Sequence, residues 1–187
     1  MYNGGMEKTA IAVIGGGASG LMLVNALADY NQNTGVPLPE IVVFERGERV
    51  GKKLSATGNG QGNVTSRDAS TREYFSSDLQ AKDKIAAILH AHDERDFAAF
   101  WARRGVLLTY DERGRAYPAG RQASALTDAL RLKKKKKGIE LRTSARVTDV
   151  RAIEKGFLLT YESGGEKHTC QAEKVVLSVG GKAAKNF

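Results

Sequence analysis

The residues best suited to chemistry lie in Gly15-Gly16-Gly17-Ala18-Ser19-Gly20, which matches G-x-G-x-x-G with its glycines at Gly15, Gly17 and Gly20. The motif follows an apolar run directly and opens a helical pattern, which is the context a dinucleotide site requires. Gly15 permits a tight turn, Gly17 lets the backbone approach a pyrophosphate, and Gly20 permits close packing of helix on strand. The amides of Gly17, Ala18, Ser19 and Gly20, at the positive end of a helix, suit phosphate oxygens. Glu45 lies 25 residues beyond Gly20, at the end of the next apolar run. A carboxylate there accepts hydrogen bonds from ribose hydroxyls and repels a 2′-phosphate, so the pair selects FAD or NAD over NADP.

The elements that must hold these residues follow from the flanking pattern. Ile11-Ala12-Val13-Ile14 and Ile41-Val42-Val43-Phe44 are short, continuous apolar runs of the kind found in buried parallel strands. Leu21 to Tyr30 reads as a helix with Leu21, Val24, Leu27 and Ala28 on one face. Strand, glycine turn, helix and strand make a βαβ unit with a right-handed crossover. From Gly47 to Arg67 the chain is polar and glycine-rich, as expected of a segment wrapped around something or disordered. Asp78 to Arg104 predicts two helices broken near His92-Asp93, the first facing a core through Ile85, Ile88 and Leu89 and the second through Phe97, Phe100 and Trp101. Val106 to Tyr110 and Arg115 to Pro118 predict a hairpin, Ser124 to Lys136 a helix, and Ile139 to Leu141 a third parallel strand. Val147 to Ile153, Phe157 to Tyr161 and His168 to Ala172 predict an antiparallel meander within about 146–173. Val175-Val176-Leu177 is then a separate final strand before Gly180-Gly181.

Three blocks carry a family resemblance. The first is the glycine motif with Glu45-Arg46, and the second runs from Gly51 to Gly60 and on through Asn63-Val64-Thr65. The third is Gly114-Arg115-Ala116-Tyr117-Pro118, continued by Ala123 to Leu126 and Asp128-Ala129-Leu130. Together they resemble the BaiN/YhiN-type family of bacterial NAD(P)/FAD-dependent oxidoreductases, over about Ala10 to Gly181. The resemblance implies a Rossmann-like α/β fold of the two-dinucleotide-binding flavoprotein type, a parallel sheet with helices on both faces and a small meander. It implies FAD as the cofactor, an enzyme working by flavin-mediated hydride or electron transfer, and NAD(P)H as a co-substrate. It also implies that Gly51 to Thr65 lies along the pyrophosphate and toward the flavin, with Lys53, Gly58, Asn59 and Gly60 as contacts. Arg46 follows Glu45 in the first block, Val147 meets adenine through its backbone in similar flavoproteins, and Gly180 sits in the glycine turn after the last strand. Where the family usually reads Arg-Cys, this chain has Gln61 and Gly62. Family members are about twice as long, so 1–187 is expected to be a single FAD-binding domain, with the family's substrate domain absent.

Composition narrows the remainder. The chain has 187 residues, ordinary apolar and charged content, and a single cysteine, Cys170, so an intramolecular disulfide is impossible. That suits a reducing cytoplasm. His90, His92 and His168 with one cysteine make no zinc-type ligand set. There is no secretory leader pattern and no apolar run of membrane-spanning length. Net charge is +8, but removing the run Lys133 to Lys137 leaves +3, so the basicity is mostly local. That run sits where a solvated helix end is expected, and it makes nucleic acid a minor expectation. The alternatives left open are a non-catalytic FAD-binding module and an RNA-associated flavoenzyme. A small-molecule substrate is expected as the partner of the flavin.

Overall fold

The computed structural model describes residues 6–67, 70, 74–78, 80–131 and 138–181. In chain order the elements are β1 (Glu7–Ile14), α1 (Ala18–Thr34), β2 (Ile41–Phe44), a short 3-10 turn (Leu54–Ala56), β3 (Thr65–Ser66), α2 (Ala81–Ala91), α3 (Glu94–Ala102), β4 (Leu108–Tyr110), β5 (Arg115–Pro118), α4 (Ala123–Leu130), β6 (Ile139–Arg142), β7 (Arg146–Ile153), β8 (Gly156–Ser163) and β9 (Glu166–Leu177). They fall into two compact units, one made of Met1–Lys53 with Leu130–Phe187 and the other of Leu54–Ala129.

The first unit is built on a six-stranded sheet in the order β6-β2-β1-β9-β8-β7. β6, β2, β1 and β9 run parallel, with Ile11 beside Ile41 and Ile14 beside Leu177, while β9, β8 and β7 are antiparallel. β9 is longer than its sequence suggests. In place of one strand at 168–172 and another at 175–177, a single 12-residue strand serves both pairings. No turn former separates Ala172 from Val175, and Glu173-Lys174 is simply an exposed step in continuous strand.

α1 covers one face of this sheet, its Val24 and Ala28 packing with Val13, Ile41, Val43 and Ile139. The helix starts three residues before the apolar periodicity does and ends at Gly35, whose left-handed φ of 72° lets its N–H bond Asn31. The opposite face is covered by the meander: Leu159 and Tyr161 from β8 join Ala12, Val42, Phe44 and the fully buried Cys170. Phe44 and Tyr161 rings lie 5.0 Å apart. Among the described residues, α1 thus packs against one cluster of sheet side chains and the side chains of β8 against the other. Fully buried side chains such as Leu21, Phe44 and Leu159 each stabilise the unit by about 1.5–3 kcal/mol relative to exposure.

The second unit holds a three-stranded antiparallel sheet, β3-β5-β4, and α3 packs beside it. α3 opens with a capping box in which Asp93 accepts the Asp96 N–H at 2.9 Å. Its expected aromatic face is present: Trp101 is buried, and Phe97 and Phe100 meet it edge-on at 6.0 and 5.3 Å. The expectation for α2 is corrected. Ile85 and Leu89 are only half-buried, Ile88 is 62% exposed, and the helix has no buried residue. An apolar stripe specifies a helix but not the presence of something to cover it. β4 begins at Leu108 rather than Val106, and Lys133 to Lys137 lie outside the described residues.

Candidate dinucleotide-binding site

The site forms where β1 gives way to α1. Gly15 sits at φ 110°, a conformation that disfavours any side chain, and its N–H donates to the Phe44 carbonyl at 2.8 Å. Gly16 donates to Glu45 Oε2 at 2.9 Å and accepts from the Gly51 N–H at 2.8 Å. Glu45 Oε1 accepts from Gly47 N–H at 2.7 Å. The carboxylate therefore ties the loop to β2, and each of its oxygens keeps acceptor capacity for a further donor such as a sugar hydroxyl.

The three motif glycines serve different ends. A Cβ at Gly20 would overlap the Gly15 carbonyl oxygen, so this glycine lets the helix approach the loop closely. A Cβ at Gly17 would meet nothing within 4 Å, so that position faces open space. α1 has no side-chain cap and no acid in its first turn. The N–H groups of Ala18, Ser19 and Gly20 at its start have no intrahelical acceptor. Such an end, with room in front of it, fits a phosphate.

Beside the loop lies a cavity of about 320 Å³. Gly15, Glu45, Arg46, Lys53 and Val147 line it, so the fold gathers five candidates scattered over more than 130 positions of sequence. Ile14, Phe44 and Val179 supply apolar wall, and Arg46, Lys53 and Arg146 make the rim cationic. Val147 belongs to β7, the edge strand of its sheet, with a register shift between Val147 and Asp149. An edge strand leaves one side of its backbone outside the ladder, which suits recognition of a flat heterocycle by main-chain groups. Gly180 lies between Val179 and Gly181, which both line the cavity, and has a φ of 75°. Gly58, Asn59 and Gly60 belong to the second unit. There they form their own turn at φ 58°, 53° and 81°, and the Gly60 carbonyl accepts from Ala123 N–H at 2.8 Å.

Sequence reasoning missed Arg146, Val179 and Ser178. The Ser178 hydroxyl lies 2.8 Å from the Gly15 carbonyl and 3.0 Å from that of Ile14. Extending the register of the last apolar strand by one residue past Leu177 would have placed Ser178 beside Gly15.

Residues 9–187 match the family described as the HI0933-like protein Rossmann domain. A 3-dehydro-bile acid delta(4,6)-reductase of Clostridium scindens is 29% identical over 95% of this chain and 40% of its own length. A ribosomal RNA dihydrouridine synthase of Haemophilus influenzae is 22% identical over 90% of this chain and 39% of its own. The chain thus spans about two fifths of the length of these curated relatives. Among solved structures, the 3-ketosteroid-delta4-(5alpha)-dehydrogenase of Rhodococcus jostii superposes with a TM-score of 0.64 at 14% identity, over 94% of this chain and 47% of that one. That likeness is one of fold. Among the described residues no helix is long and apolar enough to cross a membrane.

Proposed function

The chain belongs to the HI0933-like Rossmann-domain family, and from that premise we propose that it is the FAD-binding part of an oxidoreductase that interconverts a ring carbon–carbon double bond conjugated to a carbonyl and its saturated form by transfer of a hydride and a proton. The observation that carries the cofactor assignment is the join of glycine loop and Glu45: an uncapped helix start with open space at Gly17, beside a cavity with a cationic rim. In this reading the α1 amides, Arg46 and Lys53 hold the pyrophosphate, Glu45 holds the ribose, and the β7 backbone at Val147 meets adenine. The bound flavin supplies the redox chemistry, and the protein supplies orientation and charge. Gly58, Asn59, Gly60 and Gly180 are proposed as further cofactor contacts.

The substrate class rests on what the names of two curated relatives have in common. One names a reductase of the Δ4,6 double bonds of a 3-oxo bile acid, and the other a synthase of dihydrouridine in ribosomal RNA. By their chemistry, a Δ4 bond beside a 3-oxo group and the 5,6 bond of the uracil ring are both ring double bonds conjugated to a carbonyl. NADH or NADPH is the proposed source of hydride.

The test begins with the visible absorption of the purified chain after incubation with FAD and removal of the excess. A bound flavin spectrum is expected, and a colourless protein overturns the assignment. Anaerobic bleaching by NADH or NADPH, with reoxidation by an enone steroid or by uridine-containing RNA, then selects between the two substrate types. A flavin that binds but is reduced by neither nucleotide supports a binding module instead.

A further inference from the structure

We infer that Ser178 is a positioning residue for the cofactor, acting jointly with Glu45 to fix one peptide plane of the glycine loop. The inference rests on the glycine loop being the pyrophosphate site.

The plane in question is the Gly15–Gly16 peptide. Its carbonyl oxygen and its N–H belong to one rigid unit and point in opposite directions. On one side the Gly16 N–H donates to Glu45 Oε2 at 2.9 Å. On the other the Gly15 oxygen lies 2.8 Å from Ser178 Oγ. The two holding groups come from the strands that flank β1: Glu45 follows β2, and Ser178 follows β9.

The hydroxyl has one proton and two carbonyls in reach. The Ile14 oxygen, at 3.0 Å, already accepts the Ser178 N–H at 2.8 Å. The Gly15 oxygen is nearer and needs a donor, so the proton goes there. The fit is close, because a Cβ at Gly15 would overlap the Ser178 carbonyl and one at Gly20 would lie 2.8 Å from Ser178 Oγ. The hydroxyl therefore fills the space beneath the loop and satisfies a carbonyl that the start of α1 shields. With φ at 110°, Gly15 lacks the steric restraint that a side chain would impose on this plane. The two hydrogen bonds supply that restraint. A plane held before binding leaves the next amides, from Gly17 onward, already aimed at the phosphate, and no ordering cost then falls on the ligand.

The experiment compares the wild-type chain with Ser178→Ala and Ser178→Thr, measuring FAD affinity by quenching of flavin fluorescence and, without FAD, exchange of the Gly16 amide. Ser178→Ala is expected to raise the FAD Kd about tenfold, as for one lost hydrogen bond, and to speed Gly16 exchange. Ser178→Thr, which returns the hydroxyl, is expected to restore both. Unchanged affinity and exchange in Ser178→Ala overturn the inference. If that variant does not fold, loss of FAD affinity or of Gly16 protection in a folded Ser178→Thr overturns it instead. A wild-type chain that binds no FAD refutes the cofactor assignment, while Gly16 exchange in the ligand-free variants still decides whether Ser178 holds the plane.

Discussion

Glycines that look equivalent in a motif are separated by what surrounds them. Gly17 faces open space and has an ordinary φ of −79°, whereas Gly20 lies against the Gly15 carbonyl. Gly17→Val should therefore leave the melting temperature of the ligand-free chain nearly unchanged and abolish FAD binding, because the side chain fills the space in front of the amides. Gly20→Ala should cost about 1–3 kcal/mol of stability, as overpacking against fixed backbone does. Urea denaturation and FAD titration of both variants check this. Equal losses of stability in the two would mean the loop is only a tight turn. Glu45 shows the same dependence on context: its type and spacing suggest a sugar contact, and the fold adds bonds to Gly16 and Gly47 that no spacing rule describes.

At the scale of elements, a polar cluster ties strands that are distant in sequence. Arg142 at the end of β6 pairs with Glu7 at the start of β1, and Tyr161 of β8 donates to Glu7 at 3.1 Å. The Arg142 guanidinium, with help from Tyr161, holds the Glu7 carboxyl below its ordinary value of 4.5 despite the opposing effect of burial. A depressed acid contributes stability that is complete above its unfolded value and is lost as pH falls through the folded one. Glu7→Gln should therefore destabilise the chain by about 1 kcal/mol at pH 7, discounted for partial exposure. The difference from wild type should shrink as pH falls below 4.5. Chemical denaturation at several pH values measures it, and a difference that does not change with pH would refute the role of the charge. α2 makes the complementary point. Its periodicity is legible, but its apolar side is left half-exposed among the described residues, because amphipathicity encodes a demand for a partner and not the partner.

At the scale of the whole molecule, the strands of the six-stranded sheet and the residues that line the cavity come from both ends of the sequence, and Leu54–Ala129 forms a unit of its own. The charge of +8 is carried largely by Lys133 to Lys137, so any RNA retention should be electrostatic. It is expected to fall steeply between about 50 and 200 mM salt, and to weaken when the five lysines are replaced by serine. Retention that is indifferent to salt in a filter-binding assay would remove charge as its cause and point to base recognition.

The sequence alone determined the βαβ start, the glycine loop, the place of Glu45 directly after β2, the aromatic face of α3 and the existence of the meander. These are local properties: apolar runs, turn formers and side-chain types a few positions apart decide them through backbone sterics and periodicity. Only the tertiary structure decided that β9 serves both pairings, that Leu159 and Tyr161 cover the second face, and that Arg146 and Val179 reach the same cavity as Glu45. It alone brought Ser178 under Gly15, 163 positions away in sequence. Strand order and register are set by the sum of burial over a whole sheet, and no single window of residues holds that sum.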